Sequence, residues 1–91
     1  MSKLSVVVIT CNEAANIGRC LQSVAWAEEI VVVDSHSTDD TREIALENGA
    51  VVFPHDWDGY GPAKAFGVSR TSFPWVLSLD ADEAVSPELA R

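Results

Sequence analysis

Two nearly uninterrupted runs of β-branched residues, Val6-Val7-Val8-Ile9 and Ile30-Val31-Val32-Val33, constrain this chain more than anything else in it. A strand with one wet face alternates apolar and polar side chains, whereas a run with no polar alternate needs cover on both faces. The two runs sit inside strand candidates at residues 4–10 and 28–34, and weaker candidates follow at residues 50–53, stopped by Pro54, and at residues 75–79. Between strands the apolar period changes. Ile17, Cys20, Leu21 and Val24 share one face of a helix expected over residues 13–24. A second helix is expected from Ser37 as N-cap, with Asp39 and Asp40 in the first turn, to Asn48, closed by Gly49 in the left-handed conformation. A third is expected over residues 62–70, with Pro62 at its first position behind a loop at residues 59–61, and Ser86-Pro87 caps a fourth. The order β-α-β-α-β-α-β-α predicts an α/β fold: a Rossmann-like, mostly parallel sheet of about four strands with helices on both faces.

With 91 residues, 47% of them hydrophobic and 22% charged, the chain has the composition of one small globular domain. No repeat, low-complexity tract or linker divides it. Because it stops a few residues into the last predicted helix, residues 1–91 read as one partial domain, and self-association through apolar surface left by the missing part is an expectation. Fourteen acidic side chains against six basic ones give a net charge of −8 and leave no basic stripe for a nucleic-acid backbone. An acidic site that holds a phosphate needs a cation between them, and a divalent metal supplies one. The apolar runs are too short to cross a bilayer, and Lys3 alone precedes the first of them with no small-residue cleavage site after it, so a cytoplasmic location is expected. Cys11 and Cys20 are expected to be free and partly buried. With His36 and His55 they lack the close paired spacing of a zinc site.

Ligands of an open parallel sheet bind outside the carboxyl ends of its strands. Strand one delivers Thr10, Asn12 and Glu13 there, strand two Asp34, Ser35 and Ser37, strand four Asp80, Asp82 and Glu83, and strand three only His55 and Asp56. Helix caps and turns need the same residue types, and that reading competes most strongly for Ser37 and Asp39. Asp80-Ala81-Asp82 is the sharpest signal. Two carboxylates directly behind Val76-Leu77-Ser78-Leu79 repel unless a cation or donors lie between them, and such a pair suits Mg²⁺ or Mn²⁺. Gly59-x-Gly61-x-x-Lys64 lacks the spacing of a phosphate loop and reads as a turn and helix start, with Lys64 either a cation near the rim or a solvated helix lysine. Trp57 and Tyr60 are either a sugar or base platform or packing for that loop.

Three segments together, Leu4-Ser5-Val6-Val7-Val8-Ile9-Thr10-Cys11-Asn12-Glu13, Ile30-Val31-Val32-Val33-Asp34-Ser35-His36-Ser37-Thr38-Asp39 and Leu77-Ser78-Leu79-Asp80-Ala81-Asp82-Glu83, resemble the start of a family 2 glycosyltransferase of GT-A fold. The branch that includes lipopolysaccharide core glycosyltransferases has a tryptophan-rich segment similar to His55-Asp56-Trp57-Asp58-Gly59-Tyr60-Gly61. The resemblance covers essentially the whole chain. It implies that Thr10, Asn12 and Glu13 line the base and ribose of a nucleotide sugar, and that Asp34 reads the base, usually uracil, through a ring N–H. It further implies that Asp80 lies near ribose and metal, that Asp82 ligates Mn²⁺ or Mg²⁺ bridged to the diphosphate, and that Lys64 approaches the phosphates. The implied reaction is inverting, metal-dependent transfer from a nucleoside diphosphate sugar, UDP-linked, to a lipopolysaccharide or other glycan or lipid-linked acceptor. In the full-length protein this would take place at the inner face of the cytoplasmic membrane. His36 departs from the family by standing where relatives have a turn glycine, and Ala65 by following the lysine where many have asparagine. The resemblance also implies that the catalytic base and the acceptor-binding half lie beyond Arg91, so the chain alone is expected to be inactive. Two alternatives are a nucleotidyltransferase, whose glycine-rich basic loop is replaced here by Thr10-Cys11-Asn12-Glu13, and a non-catalytic nucleotide-binding module.

Overall fold

A computed structural model of the chain describes residues 3–82. Within them the elements run β1 (Leu4–Thr10), α1 (Ile17–Gln22), β2 (Glu29–Asp34), α2 (Thr41–Glu47), β3 (Val51–Pro54), α3 (Tyr60–Ser69) and β4 (Trp75–Asp80). The strands form one sheet in the order β3-β2-β1-β4, and every pairing is parallel. The predicted architecture is therefore the observed one. The helix expected at Ser86-Pro87, Glu83 of the rim, and Arg91, beyond which the catalytic base is expected, all lie outside the described residues.

The two valine-rich runs are the central strands, and their side chains divide by parity as a pleated strand requires. Val6, Val8, Ile30 and Val32 point to one face, where Ile17, Cys20 and Leu21 of α1, Val24 just after it and Ala45 of α2 cover them. Val7, Ile9, Val31 and Val33 point to the other, where Ala63 and Phe66 of α3 lie. Both faces are thus dry, and all eight strand side chains are buried. Pro54 ends β3 at the edge of the sheet, where its missing N–H interrupts no second ladder.

Helix boundaries depart from expectation for identifiable reasons. The first helix is shorter than residues 13–24. The N–H groups of Asn12, Glu13 and Ala14 bond to side chains of the loop before α2 and of its first residue, which holds that stretch out of the helix. α2 begins at Thr41 with Asp40 at its N-cap, and Ser37 lies outside it with its hydroxyl engaged elsewhere. Gly49 does take the left-handed conformation after α2, at φ 84°. α3 starts two residues before Pro62, at Tyr60, with Gly59 at φ 106° as its N-cap, a conformation that β-carbon-bearing residues avoid.

α3 reaches the sheet through Gly67. A β-carbon there would stand 2.5 Å from Val7 Cγ1 and 3.0 Å from Val33 Cγ2, both buried. Alanine raises helix propensity by up to about 1 kcal/mol, but overpacking a close contact costs about 1–3 kcal/mol. The clash should win. Gly67→Ala is expected to lower stability by about 1–2 kcal/mol in urea denaturation; unchanged stability would mean that α3 stands off the sheet.

Candidate functional site

The carboxyl ends of β1 and β2 come out side by side, with Thr10 paired to Asp34. The loops that follow are stitched together by side chains. Asn12 N–H donates to Ser37 Oγ (2.8 Å), and that hydroxyl donates to Asp34 Oδ1 (2.5 Å). Glu13 N–H donates to Thr41 Oγ1 (2.9 Å), and that hydroxyl donates to Asp39 Oδ1. Each relay joins a backbone N–H of the first loop to a carboxylate of the second through one hydroxyl. Asn12 Oδ1 returns the connection by accepting from Thr38 N–H (2.8 Å), and Asp39 Oδ2 accepts from Ala14 N–H (3.2 Å). The stitched turns are tight: Asn12 sits at φ 53° and His36 at φ 52°. Positive φ at His36 is the conformation that a turn glycine would adopt freely, and asparagine at position 12 tolerates it better than most residues.

Beside this brace opens a cleft of about 430 Å³, lined by Thr10, Cys11 and Glu13 from the end of β1, Ser35 from β2, Trp57 and Tyr60 from the β3–α3 connection, and Asp80 and Asp82 from β4. Four of the seven predicted site residues therefore come together: Thr10, Glu13, Asp80 and Asp82. The other three do not line it. Asp34 is fully buried, with Oδ1 and Oδ2 both bonded to Ser37 and the Arg42 guanidinium 3.7 Å away. Asn12 is committed to the brace, and Lys64 lies exposed on α3 outside the lining. Cys11 and Cys20 are both free, but Cys11 is exposed in the cleft where partial burial was expected. Ser35, which the sequence placed on the rim, and Trp57 and Tyr60, read there as a platform or as loop packing, also line the cleft, and Cys11, directly after β1, is the addition.

Thr10 Oγ1 is buried at the cleft wall with no hydrogen-bond partner among the described residues. Such a group is under-satisfied. The remaining lining is electrostatically one-sided: Glu13, Asp80 and Asp82 are carboxylates, and among the described residues no lysine or arginine lines the cleft. Asp80 and Asp82 are exposed, while Ala81 between them is buried and anchors the turn. Among the described residues no three His, Cys, Asp or Glu side chains gather closely enough to hold a metal ion. Asp80 and Asp82 are a pair that suits Mg²⁺ or Mn²⁺ taking its other ligands from water and phosphate oxygens.

The profile of the family described as "Glycosyl transferase family 2" matches residues 5–91. The chain belongs to that family. A glycosyltransferase of Rickettsia felis, described as uncharacterized, is 48% identical over 90 residues, which are 98% of this chain and 32% of that protein. The lipopolysaccharide core biosynthesis glycosyltransferase LpsC of Rhizobium meliloti is 36% identical, over 94% of this chain and 34% of its own length. The chain therefore spans about a third of the length of the curated relatives it matches. Among solved structures, mannosyl-3-phosphoglycerate synthase of Rubrobacter xylanophilus superposes with a TM-score of 0.84 at 27% identity, over 96% of this chain and 33% of that one. Glucosyl-3-phosphoglycerate synthase of Mycobacterium tuberculosis, solved in complex with Mn²⁺, uridine diphosphate and glucosyl-3-phosphoglycerate, superposes with a TM-score of 0.78 at 30% identity, over 88% of this chain and 33% of that one. The structural likeness agrees with the family and with the GT-A fold.

The brace of this family 2 chain has a pH signature. The Thr41 hydroxyl on Asp39, helped by the N–H groups of Thr41 and Ala14, holds the Asp39 carboxyl below its ordinary 3.8 despite some desolvation. A folded-state value below the unfolded one adds stability that is present above the unfolded value and lost as pH falls through the folded one. Wild type and Asp39→Asn are accordingly expected to differ most in stability above pH 3.8 and to converge below it; parallel denaturation profiles through that window would contradict the assignment. Ser37→Ala, which leaves a buried Asp34 oxygen short of its donor, should lower stability by about 1–3 kcal/mol in the same measurement.

Proposed function

We propose that this chain forms the donor-binding part of a glycosyltransferase that uses a nucleoside diphosphate sugar, UDP-linked, with Mn²⁺ or Mg²⁺ held at Asp80 and Asp82. The observation that carries the reading is the pairing of family 2 membership with an acidic cleft that, among the described residues, has no lysine or arginine in its walls. A diphosphate brings negative charge into a space already walled by Glu13, Asp80 and Asp82, so it binds only with a cation between. The uridine diphosphate and Mn²⁺ in the Mycobacterium tuberculosis synthase support the same choice of ligand.

The residues divide the work. Asp80 and Asp82 would hold the divalent ion, and the two-residue spacing across buried Ala81 sets both carboxylates on the cleft side of the turn. A bound divalent cation supplies the positive charge against which a nucleoside diphosphate can depart. Thr10 lines the wall beside Glu13 and Ser35, and the Ser35 hydroxyl, which donates to the His55 carbonyl, and the Glu13 carboxylate offer acceptors there. Asn12 and Asp34 act on the site at one remove, by fixing the loops that present Thr10, Glu13 and Ser35. The transfer itself is inverting and directed to a glycan or lipid-linked acceptor, in line with the likeness to LpsC. This chain, which spans about a third of the length of the curated relatives it matches, is proposed to bind donor without turning it over by itself.

Calorimetric titration with UDP tests the donor assignment. Binding is expected in the presence of Mn²⁺, to be abolished by chelation, and to weaken on the order of tenfold or more in Asp82→Ala. UDP binding indifferent to both metal and Asp82 would overturn the proposal. The thiols give an independent readout: a maleimide should modify exposed Cys11 and spare buried Cys20 in the folded protein, and UDP with Mn²⁺ should slow the Cys11 reaction.

A further inference from the structure

The cleft has an aromatic wall whose occupant the acidic residues do not explain. Trp57 and Tyr60 meet edge to face, with ring centroids 4.9 Å apart and planes at 90°. Both line the cleft, and both stay large and exposed, at 54% and 62%. Exposed aromatic residues on a loop are ordinarily mobile, yet this loop is pinned at both ends of its tryptophan. His55 stacks on Phe66 of α3 at 4.5 Å and bonds Asp58 Oδ1 through Nε2 (3.0 Å), while Asp56 Oδ1 bonds His36 Nε2 (2.6 Å) across to the loop after β2. Gly59 then turns the chain at φ 106° into α3, so that Tyr60 begins the helix beside Trp57. An apolar surface held in place and left uncovered is preorganised for a flat partner, because little side-chain freedom remains to be lost on binding.

Topology says which part of a ligand arrives there. Asp80 and Asp82 stand at the β4 end of the sheet, whereas Trp57 lies in the connection that leaves β3 at the opposite edge, and Tyr60 opens α3, which packs across β1 and β2. A nucleotide whose diphosphate is fixed by a cation at the first end extends along the ends of β1 and β2, past Thr10 and Ser35, toward the second. We propose that Trp57 and Tyr60 form the base-stacking wall of this site, taking the nucleobase of the nucleoside diphosphate while the carboxylates and their cation take its phosphates. The inference rests on the donor reading given above. Stacking engages the face of a ring and not its edge, so this wall contributes affinity for nucleosides in general and leaves the choice of base to other groups.

The test is calorimetry on the folded protein with four probes, each with Mn²⁺: UDP, ADP, pyrophosphate and a UDP-sugar. Trp57→Ala is expected to weaken UDP binding roughly ten- to a hundredfold, the range for losing one base–aromatic stack. It should weaken ADP similarly and leave pyrophosphate unchanged. Tyr60→Ala should fall in the same direction, and Trp57→Phe should recover most of the loss. Because both side chains are exposed, truncating them empties no core, and urea midpoints measured alongside confirm that each variant is folded. Equal losses for UDP and pyrophosphate would show that Trp57 only supports the fold of the cleft, overturning the proposal. Unchanged UDP affinity with weakened UDP-sugar affinity would assign the wall to a sugar ring and overturn it as well. Wild-type protein that binds pyrophosphate with Mn²⁺ but not UDP would fail the donor reading itself, and an effect of Trp57 confined to the nucleotides would sustain both.

Discussion

Two parallel strands that end in register leave a set of backbone N–H groups with nowhere to go, and the rest of this site depends on how that is solved. β1 and β2 stop together at Thr10 and Asp34, and the loops beyond them cannot continue the ladder. Buried or half-buried peptide groups must find partners. Here Ser37 and Thr41 serve as two-way connectors, each accepting from an N–H of one loop and donating to a carboxylate of the other. The geometry consumes Asp34 and Asp39 entirely within the protein. It also holds in place the loops that carry Thr10, Cys11, Glu13 and Ser35 to the cleft.

That division explains why the acidic residues of one small rim do such different things. Asp34 and Asp39 carry their charge against nearby donors, Ser37 and Arg42 for the first and Thr41 and Ala14 for the second. Asp80 and Asp82 stand exposed on the cleft, where a third carboxylate, Glu13, also lies and no arginine or lysine is among the described lining residues. Several carboxylates around one space favour a cation in it. The proposed use of a metal is consistent with Asp80 and Asp82 lying on the cleft while Asp34 and Asp39 are held in the brace.

The strands were legible because Val6–Ile9 and Ile30–Val33 have no polar alternate, and only a sheet covered on both sides accommodates that. Asp80-Ala81-Asp82 was legible because it directly follows an apolar run. The brace was not. A serine shortly followed by two aspartates looks the same whether its hydroxyl caps its own helix or reaches a backbone N–H 25 residues earlier, and local spacing cannot separate the two. Asp34 was read as facing a ligand for the same reason, since burial of a strand-end carboxylate depends on a serine three residues later bending back to it. The exposure of Cys11 and the early start of α3 at Tyr60 likewise follow from loop conformations, at Asn12 and Gly59, that sit at positive φ and leave little trace in hydrophobic periodicity.

The position of the cleft is a consequence of chain order and not of any single motif. From β1 the chain moves outward through β2 to β3, then crosses back through α3 to place β4 on the other side of β1. The connections through α1 and α2 cover one face and the connection through α3 covers the other, and β1 and β4 are neighbours where the strand order reverses. A crevice must open there, at the switch point of the sheet. Thr10 and Glu13 stand on one lip and Asp80 and Asp82 on the other. Because α3 also carries Tyr60 at its start, the same crossover that creates the crevice brings its aromatic wall to the far end. Changing the side chains on these lips would therefore alter which ligand is held, while the crevice itself would persist as long as the four strands keep their order.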